Sequence, residues 1–158
     1  MLYIQWFFMI LQEELKMKKF ASEYHRANLN IIFTGFWISD QFNAVLKPFG
    51  ISEQQFNVLR ILRGQNRKAV NLLSVQERMI QKMSNATRLV EKLKKKGYVC
   101  REICEENRRQ VDISITDKGL KLLEELDTKV KLHEAKIFKN INEKEAKTIA
   151  DLLDKLRG

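Results

Sequence analysis

Residues 73–116 read LSVQERMIQKMSNATRLVEKLKKKGYVCREICEENRRQVDISIT, and the order of elements in this stretch decides the fold. Ser74 to Met79 predicts a short helix. Lys82 to Lys96 predicts a second, opening in small polar residues and stopping at Gly97. Tyr98–Ile103 and Gln110–Ile115 then alternate as two strands, with Glu105–Glu106–Asn107–Arg108–Arg109 as the tip between them. Helix, turn, helix and a basic-tipped hairpin are the parts needed to read duplex DNA. A helix fits the major groove, about 12 Å wide, and a hairpin tip reaches the minor groove.

The second helix carries the reading face. Leu89, Val90 and Leu93 point inward by helical spacing. Asn85, Arg88 and Lys92 point outward together, with Ser84 and Thr87 beside them. Arginine can fork onto guanine O6 and N7, asparagine pairs with adenine N6 and N7, and a hydroxyl reaches a base or a phosphate. At the hairpin tip, Arg108 and Arg109 suit the enhanced negative potential of a narrow A·T-rich minor groove. Glu105 and Glu106 beside them argue against a purely electrostatic arm.

Outward from this centre the chain is mostly helical. Glu23 to Leu46 predicts a long helix with Leu29, Ile32, Phe33, Phe36 and Trp37 at helical spacing, ended by Pro48 and Gly50. Ser52 and Gln55 form a capping-box start for a helix whose buried stripe is Phe56, Leu59 and Leu62 and which ends near Gly64. Asn66 to Asn71 reads as a polar connection, and Ser74 as the cap of the next helix. After the hairpin, Thr116 opens a long helix. Its Leu123, Leu126, Val130, His133 and Ile137 follow the 3-4-3-4 seam of a helix that packs on a partner helix. Asn142 opens a last helix with Ala146, Ile149, Leu153 and Leu156 at 3-4-3 spacing. The flanks hold more apolar surface than the small centre can cover, so the reading is a homodimer with interlocked termini. The fold class expected is mainly α with a small β-hairpin wing: a winged helix-turn-helix at about 52–116, flanked by dimerisation helices at about 24–46 and 117–156.

Composition agrees. The 158 residues are 44% hydrophobic and 31% charged, as in a soluble globular domain. One proline and six glycines leave little room for long loops. A net charge of +9 and a pI near 9.6 suit a polyanionic partner. The charge is concentrated: between residues 82 and 101, Lys82, Arg88, Lys92, Lys94, Lys95, Lys96 and Arg101 face only Glu91. Along a straight strand Cys100 and Cys104 stand about 13 Å apart, too far for a disulfide, which needs less than about 7 Å. The chain therefore reads as cytoplasmic. Residues 1–23 read as an extension. Leu2 to Leu11 is strongly apolar but shorter than the roughly 20 residues of a membrane span, and it lacks a signal peptide's basic start and cleavage site. It reads as a packed helical extension rather than a membrane anchor, and Met17 as a plausible natural start.

The sequence offers no catalytic set. It has no nucleophile elbow, no glycine-rich phosphate loop, no His/Cys/Glu cluster for a metal and no cofactor motif. The expectation is a non-enzyme. The competing reading is a winged helix used for protein–protein contact, whose mark would be an apolar or acidic reading face in place of Asn85, Arg88 and Lys92.

The stretches TRLVEKLKKKGYV and NRRQVDISITDKG, in this order of elements, resemble the MarR family of winged-helix transcriptional regulators over roughly Tyr24 to Leu156. Family members carry Asp-Arg-Arg seven residues before a Leu-Thr-x-x-Gly ending. Here Arg109 stands seven residues before Thr116, and Ile115–Thr116–Asp117–Lys118–Gly119 matches that ending. The resemblance implies that Arg109 is the minor-groove arginine and Arg108 the more variable basic position. It also implies that Arg88 is the outward arginine some members use in the major groove. Asn107 replaces the family's Asp and removes a possible salt bridge in the wing. The resemblance further implies a ligand-responsive repressor, a homodimer on a pseudo-palindromic operator. Family pockets for small aromatic or amphipathic effectors lie between the first two helices and the helix after the wing. The candidates here are His25, Phe33, Trp37, Phe56 and His133, each of which also reads as plain core packing, since apolar residues at helical spacing are usually buried.

Overall fold

The computed structural model of the chain describes residues 10–103 and 111–158. Its elements are α1 (Leu11–Glu14), α2 (Glu23–Leu46), a 3-10 turn (Lys47–Phe49), α3 (Glu53–Arg63), β1 (Val70–Asn71), α4 (Leu72–Arg78), α5 (Ala86–Lys95), β2 (Val99–Ile103), β3 (Val111–Ile115), α6 (Asp117–Ile137) and α7 (Glu143–Arg157). They cluster as two compact units, Met1–Asp40 and Gln41–Gly158. The winged helix-turn-helix lies wholly in the second.

Local hydrogen bonds set most element boundaries. Ser52 and Gln55 make a reciprocal capping box at the start of α3, and Asn142 and Glu145 make another at α7. Gly50, at φ +64°, turns the chain out of the 3-10 segment that contains Pro48. The α5 helix ends in a Schellman motif. Gly97 sits at φ +74°, its N–H donates to the Lys94 carbonyl at 2.8 Å, and the Tyr98 N–H donates to the Leu93 carbonyl at 3.0 Å.

The sheet is antiparallel in the order β1-β3-β2, with Val70 opposite Ile113, Arg101 opposite Ile113 and Val99 opposite Ile115. The segment expected as a purely polar connection therefore ends in a strand. Two residues carry no readable alternation, and their pairing with β3 lies forty residues away. The α4 helix also starts earlier than Ser74. Asn71 is its cap, with Oδ1 accepting from the Ser74 N–H at 2.8 Å. The helix expected from Lys82 begins at Ala86, because Asn85 caps it and residues 82–84 form the turn.

One core unites the second unit. Val58, Leu59 and Leu62 of α3, Val75 of α4, Val90 and Leu93 of α5, Ile113 of β3 and Leu123 and Leu126 of α6 are all essentially solvent-free. This corrects the expectation for the α6 seam. Leu123 and Leu126 are not available to a partner helix, because they close the core of their own winged helix. Val130 packs at the edge of that core and Ile137 is half-buried. The stripe of α7 is different. No residue of α7 is buried, and Ile149, Leu152 and Leu156 are exposed.

A partly buried ion pair ties α3 to α6. The Arg63 guanidinium meets the Asp127 carboxylate through two bonds of 2.8 and 3.0 Å. The hydrogen bonds from Arg63 hold the Asp127 carboxyl below the usual carboxylate range, and the charge of Arg63 adds to the effect.

Candidate nucleic-acid interface

The α4–turn–α5 unit is built from the core outward. Ala86, Val90 and Leu93 bury one face of α5, and Leu89 packs at its edge. The opposite face presents Thr87, Arg88 and Lys92 to solvent. Arg88, Lys92, Lys94 and Lys95 have no ion-pair partner among the described residues, so no described carboxylate compensates their charge. Thr87 also borders a hollow of about 260 Å³ shared with Leu72, Arg101 and Val111.

Two other expected residues have structural duties. Asn85 is the α5 cap, and its Oδ1 accepts from the Arg88 N–H at 3.0 Å. The oxygen expected to pair with adenine is therefore committed to the helix, and the exposed Nδ2 remains as a donor. Ser84 lies in the turn, with its hydroxyl donating to Gln81 Oε1 at 3.4 Å. Two members of the basic run are also engaged within the chain. Lys96 Nζ donates to the Gly50 carbonyl, and Arg101 pairs with Glu91, joining β2 to α5. Spacing alone does not separate these braces from the free charges.

The root of the wing explains the Thr-Asp-Lys-Gly ending. Thr116 caps α6 by accepting from the Gly119 N–H at 3.1 Å, while its hydroxyl donates to the Gly97 carbonyl at 2.7 Å. Its own N–H donates to the Tyr98 carbonyl at 3.1 Å. A Cβ on Gly119 would stand 2.4 Å from that same Tyr98 oxygen. Only glycine lets α6 approach the hairpin this closely. Lys118 adds a bond of 2.8 Å to the Lys96 carbonyl and sets its ammonium over the Tyr98 ring. The helix and both wing strands thus leave one braced junction.

The tip residues Asn107, Arg108 and Arg109, with Glu105, Glu106, Cys104 and Gln110, lie outside the described residues. Cys100 is described. Its thiol donates to Glu102 Oε1 at 3.1 Å, and that bond, with burial and the Glu102 charge, pushes the thiol up from its ordinary value. A raised thiol is a poor thiolate source.

The ligand candidates divide between the two units. In the first, Phe33 and Trp37 share a hollow with Leu15, Leu29, Ile32 and Phe36. His25 is not part of that hollow: its Nδ1 accepts from the Ala21 N–H, and its ring meets Phe20 edge-on. In the second unit, Phe56 and His133 both contact Phe42, with ring centroids 5.3 and 5.6 Å away. Phe56 is core. His133 lines an open groove with Val45, Phe49, Leu132, Lys129 and Lys136, and its Nε2 is buried without a hydrogen-bond partner among the described residues. The described residues hold no group of three or more His, Cys, Asp or Glu side chains placed to bind a metal ion, and no helix long and apolar enough to cross a membrane.

Comparison with known proteins matches this geometry to a family. The MarR family model matches residues 51–111, from the residue before the α3 cap to the first residue of β3. The transcriptional repressor MprA of Escherichia coli is 30% identical over 84 residues, 53% of this chain and 48% of that protein. The match thus spans about half the length of that curated relative. Among solved structures, a MarR transcription factor from Planctomyces limnophilus aligns with a TM-score of 0.68 at 29% identity, covering 86% of this chain and 98% of that one. A MarR variant from Escherichia coli complexed with operator DNA shares the fold, with a TM-score of 0.75 at 23% identity, covering 85% of this chain and 95% of that one. Residues 51–111 match the MarR family model, so this part of the chain carries a MarR-type winged helix.

Proposed function

We propose that this chain is a transcriptional repressor that binds a pseudo-palindromic operator as a homodimer and releases it when a small aromatic or amphipathic molecule binds. The observation that carries the reading is the outer face of α5. Arg88 and Lys92 are exposed and unpaired among the described residues, on a helix whose other face is locked into the core. Exposed cations held on a rigid helix form a fixed positive patch that attracts a polyanion. Helix α5 enters a major groove, and the wing that carries Arg108 and Arg109 follows the flanking minor groove. Lys94 and Lys95 add phosphate attraction without sequence preference.

A two-fold operator needs a two-fold protein. The exposed apolar side chains of α7, together with Leu132 and Phe138 at the end of α6, supply surface for a second copy. The effector reading rests on the groove beside His133. An aromatic wall at Phe49, cationic Lys129 and Lys136 at the edge and an unpartnered ring nitrogen suit an aromatic acid.

Selection of bound duplexes from a random pool, repeated with aromatic acids present, tests both parts. A two-fold consensus with half-sites roughly 34–36 Å apart supports the reading. Recovery of no consensus at low salt refutes it and favours the protein–protein module. Sedimentation equilibrium tests assembly independently, and a monomer at micromolar concentration refutes the dimer.

A further inference from the structure

The turn between α4 and α5 holds an apolar side chain that packs on none of the described residues. Met83 is 100% exposed, two residues before the Asn85 cap. The residues on either side of it, by contrast, are braced. The Ile80 N–H donates to Asn57 Oδ1 at 3.0 Å, and Gln54 Nε2 donates to Gln81 Oε1 at 3.0 Å, tying the turn to α3. The Ser84 N–H donates to the Gln81 carbonyl at 3.0 Å, and Gln76 Nε2 donates to the Lys82 carbonyl at 3.4 Å. Met79 anchors the turn in the core at 2% exposure. A flexible surface loop would show none of this bracing. Met83 is an exposed thioether on a braced turn, with Lys82 before it and Arg88 on the helix that follows.

We infer that Met83 is a specificity-determining residue that packs on the C5-methyl group of a thymine in each half-site. The inference rests on the DNA-binding reading above and deepens it. In helix-turn-helix proteins the N-terminal end of the second helix lies nearest the base edges. The residues just before its cap enter the groove with it. The apolar feature of a major-groove edge is the thymine methyl, which takes apolar side chains. Methionine suits that contact because it is unbranched and polarizable, and it adapts to an irregular surface. The surrounding charge selects the occupant. An apolar knob amid exposed lysines and arginine fits a polyanion that carries methyl groups better than an apolar protein surface, where those charges would be buried unpaired.

The test replaces thymines one at a time with deoxyuridine, which removes only the methyl, in a duplex obtained by selection. Binding of the full chain is read by fluorescence anisotropy at fixed salt. Wild type is expected to lose about fourfold in affinity at one thymine per half-site, the factor for one buried methyl. Met83→Ala is expected to show no loss at that position, and Met83→Leu to retain most of it. Met83 is fully exposed and packs on none of the described residues, so circular dichroism of both variants should match wild type. A flat deoxyuridine scan in wild type overturns the inference while leaving DNA binding intact. So does a loss that persists in Met83→Ala. A sedimentation shift toward monomer in Met83→Ala overturns it in favour of a contact between copies. Failure to bind any selected duplex instead refutes the DNA reading, and is seen before the scan begins.

Discussion

Gly119→Ala probes the junction that carries the wing. Glycine in a helix normally costs up to about 1 kcal/mol relative to alanine, so the naive expectation is a gain. The structure predicts the reverse. The new Cβ would lie 2.4 Å from the Tyr98 carbonyl oxygen and 2.8 Å from Ile115 Cγ1, where ordinary contact begins at 3.4 Å. The nearer atom is backbone and cannot swing aside. Moving it by the missing ångström breaks the 3.1 Å bond that it accepts from the Thr116 N–H. Overpacking costs about 1–3 kcal/mol, and the lost hydrogen bond adds about 1. Set against the helical gain, the net is about 2 kcal/mol of destabilisation. For a chain of this length that lowers Tm by about 4–8 °C. Urea titration followed by circular dichroism measures it. Gly35→Ala is the control, since a Cβ on Gly35 in α2 meets nothing within 4 Å among the described residues. A Gly119→Ala protein as stable as wild type, or more so, would refute the reasoning about the close approach.

Other expected outcomes concern the reading face and the α3–α6 brace. Arg88→Ala relaxes preference at one or two base pairs per half-site, whereas Lys95→Ala weakens all sequences alike and lowers the salt slope by up to about one unit. An equal effect of Arg88→Ala on every sequence would remove its base-reading role. Arg109→Ala weakens specific binding by about 1–3 kcal/mol without unfolding the protein, and unchanged affinity in competition titrations would rule out the minor-groove arginine. Asp127→Asn removes the pair with Arg63. Because the folded Asp127 carboxyl lies below its unfolded value, near 3.9, its contribution is fully present above that value. It is lost as pH falls through the folded one. Both side chains are about a third exposed, so solvent screening limits the effect to about 1 kcal/mol at pH 7. The gap between wild type and variant should close on acidification toward pH 2. A gap that stays constant with pH would show that the pair does not stabilise the fold through charge.

Much of the fold was legible in the chain because its signals are local. The α2 limits at Glu23 and Leu46, the capping boxes at Ser52 and Asn142, the stop at Gly97 and the Thr116 cap all depend on hydrogen bonds spanning three to five residues. Spacing reports such bonds directly. The outward face of α5 was legible for the same reason, since burying Val90 and Leu93 turns Arg88 and Lys92 to solvent. Tertiary structure decided what depends on distant partners. The strand at Val70–Asn71 exists only because β3 pairs with it. Leu123 and Leu126 have the spacing of an intersubunit seam, but periodicity names a buried face and not the surface that buries it. Here the surface is the chain's own winged helix. Likewise Lys96 and Arg101 read as free charge in the basic run until Gly50 and Glu91 are brought beside them. Helical and capping bonds join residues a few positions apart, so the chain states them. Contacts across sixty residues, such as Arg63 with Asp127, are set by packing alone.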